Sequence, residues 1–264
     1  MIQSKKIVFV TGTRADYGKL KPILKLIEKS KKFDLHIFIT GMHLLEKYSY
    51  TYYEVESDNY ANTYKYINQN HTDSMDTIIA KTISGFSDYI NELKPDMVCV
   101  HGDRIESLAC AISSCLNNIY TSHIEGGEVS GTVDEMLRHS ISKLSNFHFV
   151  SNLRAKSILL KMGELDSSIF VIGSPETDII SSGKLPSLKT VKSYYGIKYK
   201  QYAILIFHPV TTEYSKISDQ VNNLIRAISK SDCNYVIISP NNDLGSEIIL
   251  QKFSQIKAEK KFIF

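Results

Sequence analysis

What this 264-residue chain lacks narrows its possible roles before any motif is read. No window is apolar for the length a bilayer crossing needs. The first apolar run, Ile7-Val8-Phe9-Val10, is too short for a signal-peptide core and is followed by no small-residue cleavage site. The four cysteines (Cys99, Cys110, Cys115, Cys233) make no C-x-x-C pair and lie in apolar segments, which argues for a reduced, buried set in a cytoplasmic protein. Charge is nearly balanced, 31 basic against 28 acidic residues for a net +3, and no charged block of the kind used by nucleic-acid-binding tails occurs. Repeats and low-complexity tracts are absent. What remains, 43% hydrophobic and 22% charged, is the composition of an ordinary globular protein. Neither nucleic acid nor membrane is expected as a partner.

Short apolar runs alternate with longer amphipathic segments. Strands are predicted over 6–11, 35–40, 96–101, 120–124, 147–151 and 169–173, and helices over 17–30, 77–93, 105–116, 134–144 and 153–162. Strands that read as unbroken Val/Ile/Phe runs, each followed by a helix, predict a parallel sheet covered on both faces. In such doubly wound α/β folds, ligands sit beyond the carboxyl ends of the strands. After Gly173-Ser174-Pro175, a linker-like stretch over 181–187 leads to a second alternation: strand 203–207, helix 217–228, strand 235–238, helix 245–253. The expected domains are therefore 1–175 and 176–264. Two strands with their helices make too small a sheet to be covered, so the second domain is expected to be incomplete.

Five strand ends carry candidate chemistry. Thr11-Gly12-Thr13-Arg14-Ala15-Asp16 closes a strand and opens a helix, a place where backbone N–H groups can meet an anion and Arg14 can add a planar donor. The same residues also read as a plain strand-to-helix turn, with Asp16 as a cap and Arg14 in solvent. His101-Gly102-Asp103-Arg104 repeats the arrangement. There Asp103 is able to accept a proton and Arg104 to hold a phosphate or a sugar hydroxyl; an N-cap with a surface arginine is the plainer alternative. The densest segment runs from His123 to His139. Glu125 directly follows a buried strand, where an acid is poorly solvated. Gly126, Gly127 and Gly131 allow close backbone approach, and Asp134 opens a helix bearing Arg138 and His139. Acids converging at one sheet edge suit proton transfer, because burial and crowding raise carboxyl pKa values towards neutrality; Glu128 and Glu135 are expected in solvent. From the second alternation come Phe207-His208-Pro209 and Ser239-Pro240-Asn241-Asn242. The sequence has no G-x-G-x-x-G fingerprint, P-loop, G-x-S-x-G elbow or metal-ligand spacing, so no cofactor or metal is expected.

Taken in order, TGTRADYGKL, GMHL, HGDR, HIEGGEVSGTVDE, RHSISKL, VIGSP, FHPVTT and PNND resemble the UDP-N-acetylglucosamine 2-epimerase family over essentially the whole chain. The HIEGGEVSGT and HPVTT runs look closer to its hydrolysing branch, which serves sialic and legionaminic acid synthesis. The resemblance implies two Rossmann-like domains facing across a cleft, as in GT-B glycosyltransferases, and a nucleotide-sugar substrate. It also implies C2 deprotonation with loss of UDP from C1, hydration of the resulting glycal, and release of a free N-acetylmannosamine-type sugar. Carried over by motif, Asp103, Glu125 and Asp134 match the family's catalytic carboxylates, His208 its active-site histidine, and Arg14, Arg104 and Asn241 its substrate-binding positions. Family members tend to associate, so a homo-oligomer is implied. Two departures accompany the match: Gly18 stands where some relatives carry Ser, and the glycine- and serine-rich nucleotide-binding segment with its returning helix has no counterpart. The competing readings are a non-hydrolysing epimerase, a GT-B glycosyltransferase with an acceptor site, and an inactive truncated chain.

Overall fold

The computed structural model describes residues 4–70, 72–131, 133–183, 185–240, 243–256 and 262–263. The chain divides into two compact units, Met1–Lys184 and Leu185–Phe264.

In the first unit the elements run β1 (Lys5–Thr11), α1 (Arg14–Glu28), β2 (Phe33–Ile39), α2 (Tyr52–Glu56), β3 (Thr63–Lys65), α3 (Met75–Leu93) and β4 (Met97–His101). They continue with α4 (Ile105–Leu116), β5 (Tyr120–Ile124), α5 (Val133–Lys143), β6 (Phe147–Val150), α6 (Leu153–Lys161), β7 (Ile169–Val171) and α7 (Pro175–Ser181). Among the described residues seven strands form one sheet in the order β3-β2-β1-β4-β5-β6-β7, every pairing parallel. The alternation of side chains across a strand explains how both faces are buried. Ile7 and Phe9 of β1 pack with Tyr17, Leu20 and Leu24 of α1 on one face. Val8 and Val10 pack with Phe86 and Ile90 of α3 and Cys110 and Ala111 of α4 on the other. Each fully buried Leu, Ile or Phe contributes about 1.5–3 kcal/mol, so the two faces hold the sheet edge rigidly enough to aim side chains. The strand order reverses between β1 and β4, where the chain leaves β1 towards β2 and later returns on the opposite side. That switch point opens a crevice beyond the strand ends, the position ligands take in such sheets.

The second unit contains α8 (Leu188–Tyr194), β8 (Ala203–Ile206), α9 (Ile217–Lys230), β9 (Tyr235–Ile238), α10 (Ser246–Ser254) and β10 (Phe262–Ile263). Its described sheet is parallel in the order β10-β9-β8. Ile217, Val221, Ile249 and Phe253 of α9 and α10 bury one face against Ile237 and Phe262, while Ile204, Ile206 and Ile238 stand exposed. The third strand is an element that periodicity missed, since a two-residue apolar run carries no period of its own.

The thiols depart from expectation. Cys99 and Cys110 are buried, but Cys115 is exposed and Cys233 half-buried. Cys115 sits next to the last residue of α4, Leu116, which is itself exposed, so an apolar sequence neighbourhood there does not mean burial. No helix among the described residues is long and apolar enough to cross a membrane.

Candidate active site

The predicted carboxylates come from neighbouring strand ends because β4 and β5 are paired in register, His101 opposite Ile124. Asp103 follows β4 by two residues and Glu125 follows β5 directly. Glu125 holds a left-handed backbone, φ 62°, unusual for a residue with a Cβ and an instance of the strain that gathers at functional sites. Its N–H still donates to the Phe149 carbonyl at 2.9 Å, which anchors it to β6.

Three side chains converge on the Glu125 carboxylate. Lys19 Nζ lies 2.9 Å from Oε2. His101 Nε2 stands 3.0 Å from the same oxygen, at charge-pair distance though outside hydrogen-bond geometry. Ser174 Oγ donates to Oε1 at 3.3 Å. Lys19 also reaches Glu176 Oε1 at 3.2 Å. Burial pushes the Glu125 pKa up, but His101 and Lys19 outweigh it and bring the carboxyl down to about 2. Asp103 moves the other way. Burial raises its pKa, the nearby charge of Asp134 adds to the rise, and Arg138, Arg104 and His101 oppose it without cancelling it. Arg138 Nη2 donates to Asp103 Oδ2, and Arg138 Nη1 to the Glu128 carbonyl at 3.2 Å. The expectation that crowding lifts the acids towards neutrality therefore holds in direction for Asp103 and fails for Glu125, where the contacts from His101 and Lys19 dominate.

Asp134 lies in the first turn of α5 with Arg138 four residues on, so the two share a helix face. Glu135 is not simply solvated: its carboxylate accepts the N–H groups of Ser130 at 3.0 Å and Gly131 at 2.7 Å. Glu128 is likewise engaged, accepting the Ser151 hydroxyl. His139 Nε2 stands 3.9 Å from Glu135 Oε1. His123, in the middle of the motif, is structural. Its ring meets the Gly102 carbonyl at 2.7 Å and Ser142 Oγ at 2.9 Å, and burial drives its pKa down to about 3.

At the β1 end the structure follows the plainer of the two readings, a capped strand-to-helix turn. Gly12 N and Thr13 N both donate to Asp16 Oδ2 at 3.0 Å, and Thr13 and Asp16 form a reciprocal capping box. Arg14 is exposed, 4.0 Å from Glu54 Oε1. Arg104, at the N-cap of α4, is mostly covered, its Nη2 4.0 Å from Met42 Sδ. His208, in the second unit, is exposed, and Asn241 lies outside the described residues.

Lys19, His101 and Arg138 escaped prediction. A signal existed for each: Lys19 falls three residues after the buried Asp16 and one before the buried Leu20 on α1, Arg138 lies four after Asp134, and His101 ends a buried strand.

The family described as UDP-N-acetylglucosamine 2-epimerase matches residues 25–263. A UDP-N-acetylglucosamine 2-epimerase of Neisseria meningitidis serogroup B is 46% identical over 260 residues, 98% of this chain and 69% of that protein. A UDP-N,N'-diacetylbacillosamine 2-epimerase (hydrolyzing) of Legionella pneumophila is 39% identical over 250 residues, 93% of this chain and 66% of that protein. The chain thus spans about two thirds of the length of these relatives. Among solved structures, a Methanocaldococcus jannaschii UDP-GlcNAc 2-epimerase in complex with UDP-GlcNAc and UDP superposes with a TM-score of 0.78 at 22% identity, covering 98% of this chain and 72% of that one. Motif order, strand order and these matches agree, and the chain belongs to the UDP-N-acetylglucosamine 2-epimerase family.

Proposed function

We propose that this chain carries the proton-transfer machinery of a hydrolysing 2-epimerase that converts UDP-N-acetylglucosamine, or a diacetamido relative, to a free mannosamine-type sugar and UDP. The observation that carries the proposal is the pair of carboxyls at neighbouring strand ends whose surroundings shift them in opposite directions, Asp103 up by burial and Glu125 down by His101 and Lys19, the pattern by which one site supplies both an acid and a base. A carboxylate takes the C2 proton as the C1–O bond breaks and UDP leaves, giving the glycal. Water then supplies hydroxide to C1 while C2 receives a proton from the face opposite the one it lost, so that one water is consumed for each UDP released.

Glu125 is the base in this reading and Asp103 the acid, with Asp134 beside it. At rest Lys19 weakens Glu125 as a base. A substrate diphosphate that draws Lys19 away raises the Glu125 pKa when it is needed, and Arg14 and Arg104 stabilise the departing charge. His208 and Asn241 are substrate-binding positions in this reading. The hydrolysing branch is favoured by the Legionella relative and by a GDP/UDP-N,N'-diacetylbacillosamine 2-epimerase (hydrolyzing) of Campylobacter jejuni at 30% identity. The name of the Neisseria relative specifies no hydrolysis and keeps the non-hydrolysing reaction as the second reading. The free thiols suit a cytoplasmic site of action.

The test is to incubate the full-length protein with UDP-N-acetylglucosamine in deuterated water and follow proton NMR. Free N-acetylmannosamine deuterated at C2, with UDP, is the expected result. UDP-N-acetylmannosamine would establish the non-hydrolysing reaction instead. No change with this substrate, but turnover of the diacetamido sugar nucleotide, would move the substrate and keep the chemistry.

A further inference from the structure

Glu106 is a buried acid with no role in the reaction just described. It is 1% exposed, in the first turn of α4, beneath the switch point of the sheet. Burying a carboxylate is costly unless it is paired and hydrogen-bonded. Its Oε1 accepts from Gln69 Nε2 at 3.3 Å, whereas Oε2 accepts no hydrogen bond among the described residues. That oxygen faces two things: Arg104 Nε, 3.8 Å away, and Gly12, where a Cβ would stand 3.6 Å from it. The other oxygen presses on Gly41, whose added Cβ would meet Oε1 at 2.7 Å. Gly41 N in turn donates to Asn68 Oδ1 at 3.0 Å. One carboxylate therefore touches the loops that follow β1, β2, β3 and β4. Arg104 is extended at the N-cap, φ −75° and ψ 149°, which lets its side chain lie back along the first helical turn towards Glu106.

We propose that Glu106 is a positioning residue that holds the Arg104 guanidinium by its Nε edge and so presents it to the nucleotide-sugar substrate. The proposal rests on the epimerase reading given above. A purely structural account has Glu106 complementing the α4 dipole and filling the space beneath Gly12 and Gly41. The two accounts separate in substrate affinity. Gln at this position keeps the volume but sets an amide against the guanidinium edge.

In the full-length protein, Glu106→Gln should raise KM for UDP-N-acetylglucosamine about tenfold with kcat changed less than about threefold, the pattern of lost uniform binding. In an Arg104→Lys background the same substitution should change KM less than about twofold, because contacting residues are coupled and not additive. Should E106Q fail to fold, Glu106→Asp, which withdraws the carboxyl by one methylene, takes its place with the same expected rise. A wild-type KM in the variant, or an equal effect with and without Arg104, would overturn the proposal and leave the epimerase reading standing. If the wild type binds but turns over neither UDP-N-acetylglucosamine nor the diacetamido sugar nucleotide, the epimerase reading fails, and the same cycle read as a calorimetric Kd still decides for or against Glu106. No binding of either sugar nucleotide by the wild type would overturn both.

Discussion

The two sheet edges of this chain are built in contrasting ways. In the first unit the charges beyond the strand ends are locked to one another: Lys19 and His101 on Glu125, Arg138 on Asp103, Asp16 on the N–H groups of Gly12 and Thr13. In the second unit His208 is exposed, and Ile204, Ile206 and Ile238 leave one sheet face uncovered. Preorganised charge is what proton transfer demands, since the groups must already be placed when the barrier is crossed. A residue that only gathers the substrate can wait in solvent. On the proposed function, that difference matches chemistry in the first unit and holding in the second.

The contrast breaks if the second unit proves equally indispensable to turnover. Glu125→Gln and Asp103→Asn should each lower kcat of the full-length protein by about 10²–10⁴, the range expected for losing a general acid or base. His208→Gln should cost only about tenfold in kcat/KM, roughly one hydrogen bond to a charged group. Steady-state assays of UDP release, with thermal melts as folding controls, make the comparison. A His208 variant as dead as the Glu125 variant would end the division of labour.

A second, smaller effect sharpens the picture of the first unit. The Glu125 pKa is depressed from 4.5 to about 2, so its contribution to stability is present above about pH 4.5 and is lost as pH falls towards 2. Lys19→Met removes part of that depression. Urea unfolding between pH 6 and 3 should therefore show a shallower loss of stability in K19M than in wild type. Asp103, whose pKa is raised, acts with the opposite sign, so Asp103→Asn should steepen the acid limb. Parallel pH profiles in all three proteins would mean that Glu125 is not held by Lys19 in solution.

The smallest expected effect concerns Gly18, inside α1 with nothing within 4 Å of an added Cβ and no left-handed φ. Gly18→Ala should stabilise by about 0.5–1 kcal/mol through helix propensity alone, seen as a raised urea midpoint with unchanged KM. A rise in KM would show that this face of α1 meets the substrate.

Much of the first unit could be read without coordinates. The unbroken apolar runs at Ile7–Val10 and Val98–Val100 foretold strands covered on both faces, and strand-end acids at Asp103 and Glu125 fell where parallel sheets place ligands. Residues 63–65 escaped because a three-residue edge strand has no periodicity, and Phe262–Ile263 for the same reason. The pKa of Glu125 was legible only in part. Its burial followed from its place after a strand, but the partners that reverse the effect, Lys19 and His101, are separated from it by 106 and 24 positions. Of the two readings open at Gly12 and Thr13, the structure takes the capped turn, because the Asp16 carboxylate within four residues accepts the free N–H groups.

By itself the sequence determined the α/β alternation, the family and the strand ends at which the acids stand, because hydrophobic period and short motifs are local properties of a chain. Only the tertiary structure decided which way each acid's pKa moves, which arginine is engaged and why Glu106 is buried. Those outcomes depend on charges brought within about 4 Å by pairing between distant strands, where Coulomb energy falls off with distance in space and not along the chain.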